Sequence, residues 1–137
     1  MNYVYDSSFV AAMILPDENS EKIDAINDAL DENDVVYIPQ LFWYEIANIF
    51  RNLIKHKRFS TEEISHFFPM FSFIDFATDY EAAINYSKKI WNLGNIYNIS
   101  AYDASYLELA DRKKAILCTL DVDLNSAAKK HGVQVIK

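Results

Sequence analysis

The chain has few of the residues that interrupt regular structure or cross-link it. Its 137 residues include two glycines, three prolines and one cysteine. So few breakers favour short connections and a high helix content. The single cysteine, Cys118, excludes a disulfide within the chain and lies in an apolar run typical of a buried thiol. The three histidines are scattered, which argues against a zinc site.

Long apolar segments are also missing. No apolar run reaches membrane length, and no basic-then-apolar leader opens the chain. We therefore expect a cytoplasmic protein with no membrane partner. The length and a hydrophobic content of 51% predict a single domain over residues 1–137.

Positive charge is scarce, since 13 lysines and arginines face 20 acids for a net charge of −7. This argues against a protein that holds nucleic acid with a broad basic face, but not against a nuclease with an acidic, metal-loaded site. Much of the negative charge lies in residues 17–34. There, the helical spacing of the apolar residues predicts an amphipathic helix with a solvated acidic face.

Predicted strands and helices alternate along the chain. The strands are predicted at residues 2–5, 35–38, 73–76, 115–119 and 133–136. The main helices between and after them are predicted at residues 7–15, 41–57, 79–97, 100–113 and 124–131. This order predicts an α/β domain with a mainly parallel sheet covered on both faces.

Glu45 is unusual because it lies on a helix that is apolar in nearly every turn. Such a helix is usually buried, and a buried carboxylate needs a partner. Glu45 either lies on a narrow wet face with Asn48 and Asn52 or points into a polar pocket that holds a metal. The cations that end this helix, residues 51–58, either suit the helix dipole or contact a phosphate backbone.

Three other acids stand where a helix begins. Asp6 ends the first strand, Asp121 follows the fourth, and Asp103 lies in the first turn of a helix. Each has a structural explanation, as an N-cap or, for Asp103 with Ser100, as part of a capping box. However, strand C-termini and the helix N-termini that follow them share one edge of a parallel sheet, where ligands bind. All four acids are therefore expected on the same side of the molecule.

Clustered carboxylates within ~4–6 Å of one another raise each other's pKa unless a cation compensates them. Ligands that are all oxygen favour Mg²⁺ or Mn²⁺ over zinc. Asp6, Glu45, Asp103 and Asp121 are therefore candidate metal ligands. Asp123 either joins the metal site through water or only caps the helix.

Four blocks of sequence resemble the PIN domain, and specifically the VapC toxins of bacterial toxin–antitoxin pairs. The blocks are residues 4–9 around Asp6, Pro39 with Glu45-Ile46-Ala47-Asn48, residues 102–110 around Asp103, and residues 117–121 with Leu124 and Gly132. Each block alone is weak, whereas their order and spacing along the chain form a strong signal. One departure is the pair of serines after Asp6, where alanine or threonine is frequent.

The resemblance implies a three-layer α/β/α fold with a five-stranded sheet in the order 3-2-1-4-5. It also implies a metal-dependent endoribonuclease that uses Mg²⁺ or Mn²⁺, forms a homodimer and is covered by a VapB-like antitoxin. Asp6, Glu45, Asp103 and Asp121 would be the catalytic residues, with Ser7 and Thr119 holding them in place. RNA contact would rely on residues 51–58 and 112–114. The alternative is a catalytically silent PIN-like protein-binding module.

Overall fold

A computed structural model describes residues 1–136 and is organised around a five-stranded, fully parallel sheet. The strands stand in the order β3-β2-β1-β4-β5, which confirms the predicted order. In the centre of the sheet, Tyr3 is paired with Val36 on one side and Ile116 on the other. The strands are β1 (Asn2–Tyr5), β2 (Val35–Pro39), β3 (Phe76–Asp79), β4 (Ile116–Cys118) and β5 (Val135–Ile136).

The helices form groups on the two sides of this sheet, as the predicted three-layer fold requires. They are α1 (Ser7–Ile14), α2 (Glu21–Asp28), α3 (Leu41–Lys55), α4 (Thr61–Phe67), α5 (Ala83–Tyr97), α6 (Ala101–Lys113) and α7 (Val122–His131), with a 3₁₀ helix at Phe68–Phe73. Helix α6 packs on β1, β2 and β4 beside α5 and α7, and α1 contacts α2 and α3. Within residues 1–136, none of the helices has the length and apolar character needed to traverse a bilayer.

The core includes the central strands, α6, and the buried sides of α1 and α3. Val4 of β1 and Leu117 of β4 are fully buried, as expected for strands covered on both faces. In α6, every residue from 104 to 110 is buried. This helix is therefore a fixed support for any side chain it carries toward the edge of the sheet.

Two neighbouring elements lie further along the chain than predicted. The third strand lies at Phe76–Asp79 instead of residues 73–76, because Pro69 stands in the first turn of the 3₁₀ helix that occupies the preceding residues. Helix α5 consequently begins at Ala83, after residues 79–82, which were predicted to be helical.

The acidic segment, residues 17–34, is helical only from Glu21 to Asp28. Beyond the helix, Asp31 Oδ1 accepts a hydrogen bond from the backbone nitrogen of Asn33 at 2.8 Å, and Asp34 Oδ2 accepts one from that of Asp31 at 3.0 Å. Short polar side chains that bond to nearby backbone groups compete with helix formation, which explains the early end of α2.

Candidate active site

The predicted acids meet at the carboxyl edge of the sheet, above the neighbouring strands β1 and β4. Asp6 directly follows β1 and is the N-cap of α1, and Asp121 is the N-cap of α7 after β4. Glu45 lies in the second turn of α3, and Asp103 lies in the first turn of α6. Capping and clustering are therefore compatible roles for Asp6 and Asp121.

Asp6 is the most deeply buried of these acids, with 4% of its surface exposed. Its Oδ1 accepts hydrogen bonds from the Ser8 hydroxyl at 2.7 Å and the Phe9 backbone nitrogen at 2.9 Å, and its Oδ2 accepts one from the Thr119 hydroxyl. Burial raises the pKa of Asp6 above its usual range, although these hydrogen bonds oppose the shift and Glu45 adds to it.

Glu45 is half-buried and bonded to two other helices through one oxygen. Its Oε1 accepts hydrogen bonds from the Ser7 hydroxyl at 3.2 Å and from the Tyr106 hydroxyl. The sequence prediction did not include Tyr106. A signal for it exists, because Tyr106 follows Asp103 by three residues and therefore lies on the same face of α6.

The pKa of Asp103 reflects the charges of all the acids in the site. Burial, followed by the charges of Asp121, Asp6, Glu45 and Asp123, raises its pKa from the ordinary 3.8 to about 6. Ser100 caps α6 by accepting a hydrogen bond from the Asp103 backbone nitrogen at 3.1 Å. In the part of the chain described, the Asp103 carboxylate itself accepts no hydrogen bond, so the reciprocal half of the predicted capping box is not formed.

Thr119 connects the two strand ends that carry acids. Its hydroxyl donates to Asp6 and accepts a hydrogen bond from the Asp121 backbone nitrogen at 2.9 Å. Asp121 Oδ1 in turn accepts a hydrogen bond from the Leu124 backbone nitrogen at 2.8 Å. Asp123 is exposed in the first turn of α7 and acts on the site through its charge.

The chemistry of the donor set fits a hydrated, hard cation. Among residues 1–136, no three Asp, Glu, His or Cys side chains are arranged to hold a metal ion together. Mg²⁺ usually keeps several waters and takes only one or two protein carboxylates, so it does not require such a cage. The oxygens of Asp103, Oε2 of Glu45 and Oδ2 of Asp121 carry no hydrogen bond from the described residues, and a cation would offset the repulsion that raises the Asp103 pKa.

The structure assigns a different role to one of the predicted RNA-binding groups. Arg112 donates two hydrogen bonds to Asp79, at 2.7 and 3.0 Å, and two to the buried Glu108, at 2.7 and 3.1 Å. Lys113 lies over the Tyr37 ring, 4.9 Å from its centroid. Arg112 therefore ties the end of β3 to α6 and is not free to bind phosphate.

Comparison with known proteins agrees with this geometry. The sequence profile of the PIN domain matches residues 3–130. Ribonuclease VapC3 of Pyrobaculum aerophilum is 28% identical over 131 residues, which cover 90% of this chain and 92% of that protein.

Solved structures share the fold over nearly the whole chain. PAE2754 from Pyrobaculum aerophilum superposes with a TM-score of 0.71 at 20% identity, covering 98% of this chain and 83% of its own. VapBC2 from Rickettsia felis, bound to a DNA fragment from their promoter, has a TM-score of 0.68 at 13% identity and covers 99% of this chain and 98% of its own. With its sheet order, its acidic edge and a profile match over residues 3–130, this chain belongs to the PIN domain family.

Proposed function

We propose that this PIN domain is a metal-dependent endoribonuclease and the toxin of a VapBC-type toxin–antitoxin pair. The observation that carries the proposal is the meeting of Asp6, Glu45, Asp103 and Asp121 at one edge of the sheet, where burial and the neighbouring negative charges raise the Asp103 pKa to about 6. Such clusters of perturbed carboxylates at a ligand-binding edge are typical of functional sites. The similarity to a protein named Ribonuclease VapC3 supports RNA as the substrate.

The hydrogen bonds of the four acids suggest two different roles in the site. Asp103 and Glu45, through oxygens that accept no hydrogen bond from residues 1–136, are suited to hold Mg²⁺ or Mn²⁺ directly or through water. Asp6 and Asp121, held by Thr119, fix the position of the site against β1 and β4. When bound, the ion would lower the pKa of a water molecule and offset the charge of the scissile phosphate.

RNA would reach this acidic site with the help of cations elsewhere. Arg51, Lys55 and Lys57 are exposed on and after the last turns of α3 and are the best candidates for phosphate contact. Arg58 at the same end is paired with Asp17 and Glu18. We place the protein in the cytoplasm, where its RNA substrate would be found.

We further propose two protein partners. A VapB-like antitoxin would cover the acids, consistent with the similarity to VapBC2, whose name refers to a toxin–antitoxin pair. A second copy of the chain would pack on apolar surface that a monomer leaves in water, such as Trp43, Phe68 and Phe73, of which Phe73 is 83% exposed.

The decisive assay is cleavage of an unstructured RNA by the wild type and Asp103→Asn. We expect cleavage by the wild type with Mg²⁺ or Mn²⁺, none with a chelator, and a loss of at least ~100-fold in Asp103→Asn, beyond the range typical for residues behind the ligands. Asp28→Asn, which removes the same charge from the exposed face of α2, should cleave as the wild type does. If Asp103→Asn cleaves as fast as the wild type, the proposed mechanism is wrong.

The alternative, a silent binding module, draws support from the lack of three convergent ligands among residues 1–136. Mn²⁺ titration separates the two functions, because an ion that binds only the folded protein raises its melting temperature. A nuclease should gain several degrees at saturating Mn²⁺. A silent module should show no Mn²⁺-dependent rise.

A further inference from the structure

Tyr106 holds an unusual position among the groups around the site. The residue is 1% exposed, and its hydroxyl donates a hydrogen bond to Glu45 Oε1. An aromatic ring locked by close packing has little freedom, so its hydroxyl is a fixed donor.

Glu45 receives both of its hydrogen bonds at one oxygen. Ser7 from α1 and Tyr106 from α6 donate to Oε1, whereas no described residue donates to Oε2. A glutamate has three side-chain torsions, and a half-buried one could otherwise turn toward water. Two donors from two different helices fix the carboxylate so that its other oxygen stays available.

We propose that Tyr106, assisted by Ser7, is a positioning residue that presents Glu45 Oε2 to a divalent cation. The inference rests on the proposed metal-dependent function and adds to it a residue outside the four acids. Hydrogen bonds to an ionised acceptor are stronger than neutral ones, and groups behind a metal ligand typically contribute 10–100-fold in affinity. We therefore expect Tyr106→Phe, which keeps the ring and removes only the hydroxyl, to weaken Mn²⁺ binding by about 10-fold or more.

Tyr5 provides a matched control. Like Tyr106 it is a fully buried tyrosine in the core, but its hydroxyl has no hydrogen-bond partner among the described residues. Tyr5→Phe therefore removes a buried hydroxyl without touching Glu45. It should bind Mn²⁺ with wild-type affinity.

The experiment is Mn²⁺ titration of the full chain without RNA, followed by electron paramagnetic resonance of the free ion. Melting temperatures in a chelator show that each variant is folded. Ser7→Ala removes the weaker donor from a half-buried position and should weaken binding in the same direction by a smaller factor. It also tests the inference if Tyr106→Phe fails to fold.

The outcomes separate this inference from the proposed function. The inference is supported if Tyr106→Phe and Ser7→Ala bind Mn²⁺ more weakly than the wild type while Tyr5→Phe binds it equally well. The inference is overturned, and the proposed function stays in place, if Tyr106→Phe and Ser7→Ala both bind Mn²⁺ as tightly as the wild type. Absence of saturable Mn²⁺ binding in the wild type overturns both.

Discussion

Asp103→Asn should make the metal-free protein more stable at neutral pH, even though we expect it to remove activity. The folded protein raises the pKa of Asp103 to about 6 from the ordinary 3.8, so the charged carboxylate is disfavoured in the native state. The stability associated with this group is fully present below pH 3.8 and is lost as the pH rises through about 6. Asparagine has the same shape and does not titrate.

The size of the effect follows from the shift. A change of about two pKa units corresponds to roughly 3 kcal/mol at ~1.36 kcal/mol per unit, which is an upper limit. Asp103 is only half-buried, so solvent screens part of the repulsion, and about 1–2 kcal/mol is the reasonable expectation. For a domain of this size, that is a rise of about 3–8 °C in melting temperature.

The assay is thermal unfolding in a chelating buffer at pH 7.5 and again at pH 4.5. We expect Asp103→Asn to melt above the wild type at pH 7.5 and the difference to shrink at the lower pH. Asp28→Asn, on the exposed face of α2, should change stability by less than about 0.5 kcal/mol at either pH. If Asp103→Asn melts at or below the wild type at pH 7.5, the destabilisation that we infer from burial and from repulsion between the acids is absent.

Three further predictions concern the stability of the fold. Arg112→Met leaves the buried Glu108 and Asp79 without their partner and should lower the free energy of unfolding in urea by about 3 kcal/mol. A decrease of less than about 1 kcal/mol would contradict a stabilising network. Ser60→Ala removes the capping box of α4 and should cost about 1 kcal/mol, whereas Ser60→Gly should cost less; equal losses would argue against the cap. Gly132→Ala should cost about 1 kcal/mol by calorimetry because φ is 88° there. Apart from its neighbours in the chain, no atom of residues 1–136 lies within 4 Å of the added Cβ, so an unchanged stability would show that the backbone relaxes.

Local signals made much of the site predictable from sequence. Asp6 and Asp121 each follow an apolar strand and precede a helix in the sequence, and both are N-caps in the structure. Parallel strands then bring them to one edge without any knowledge of distant contacts. The order of the strands came from the resemblance to PIN domains and was confirmed.

The remaining features depend on pairs that are far apart in sequence. Tyr106 and Glu45 are separated by 61 residues, and Arg112 and Asp79 by 33, so no local period identifies either pair. Arg112 looked like a free cation because its partners come from another element and from the preceding turn. The position of β3 was mispredicted for another reason: the aromatic residues before it fit a strand and the 3₁₀ helix that Pro69 begins equally well.

The most direct measurement is the rate of RNA cleavage by Asp6→Asn beside the wild type and Asp28→Asn, with Mg²⁺ and at equal protein concentration. Asparagine is as good an N-cap as aspartate, so α1 should form while the charge next to Thr119 is lost. We expect Asp28→Asn to cleave at the wild-type rate and Asp6→Asn, which changes a residue that positions the site, to be slower by ~10–100-fold. Folded Asp6→Asn protein that cleaves RNA as fast as the wild type would contradict the assignment of these acids as a metal-dependent nuclease site.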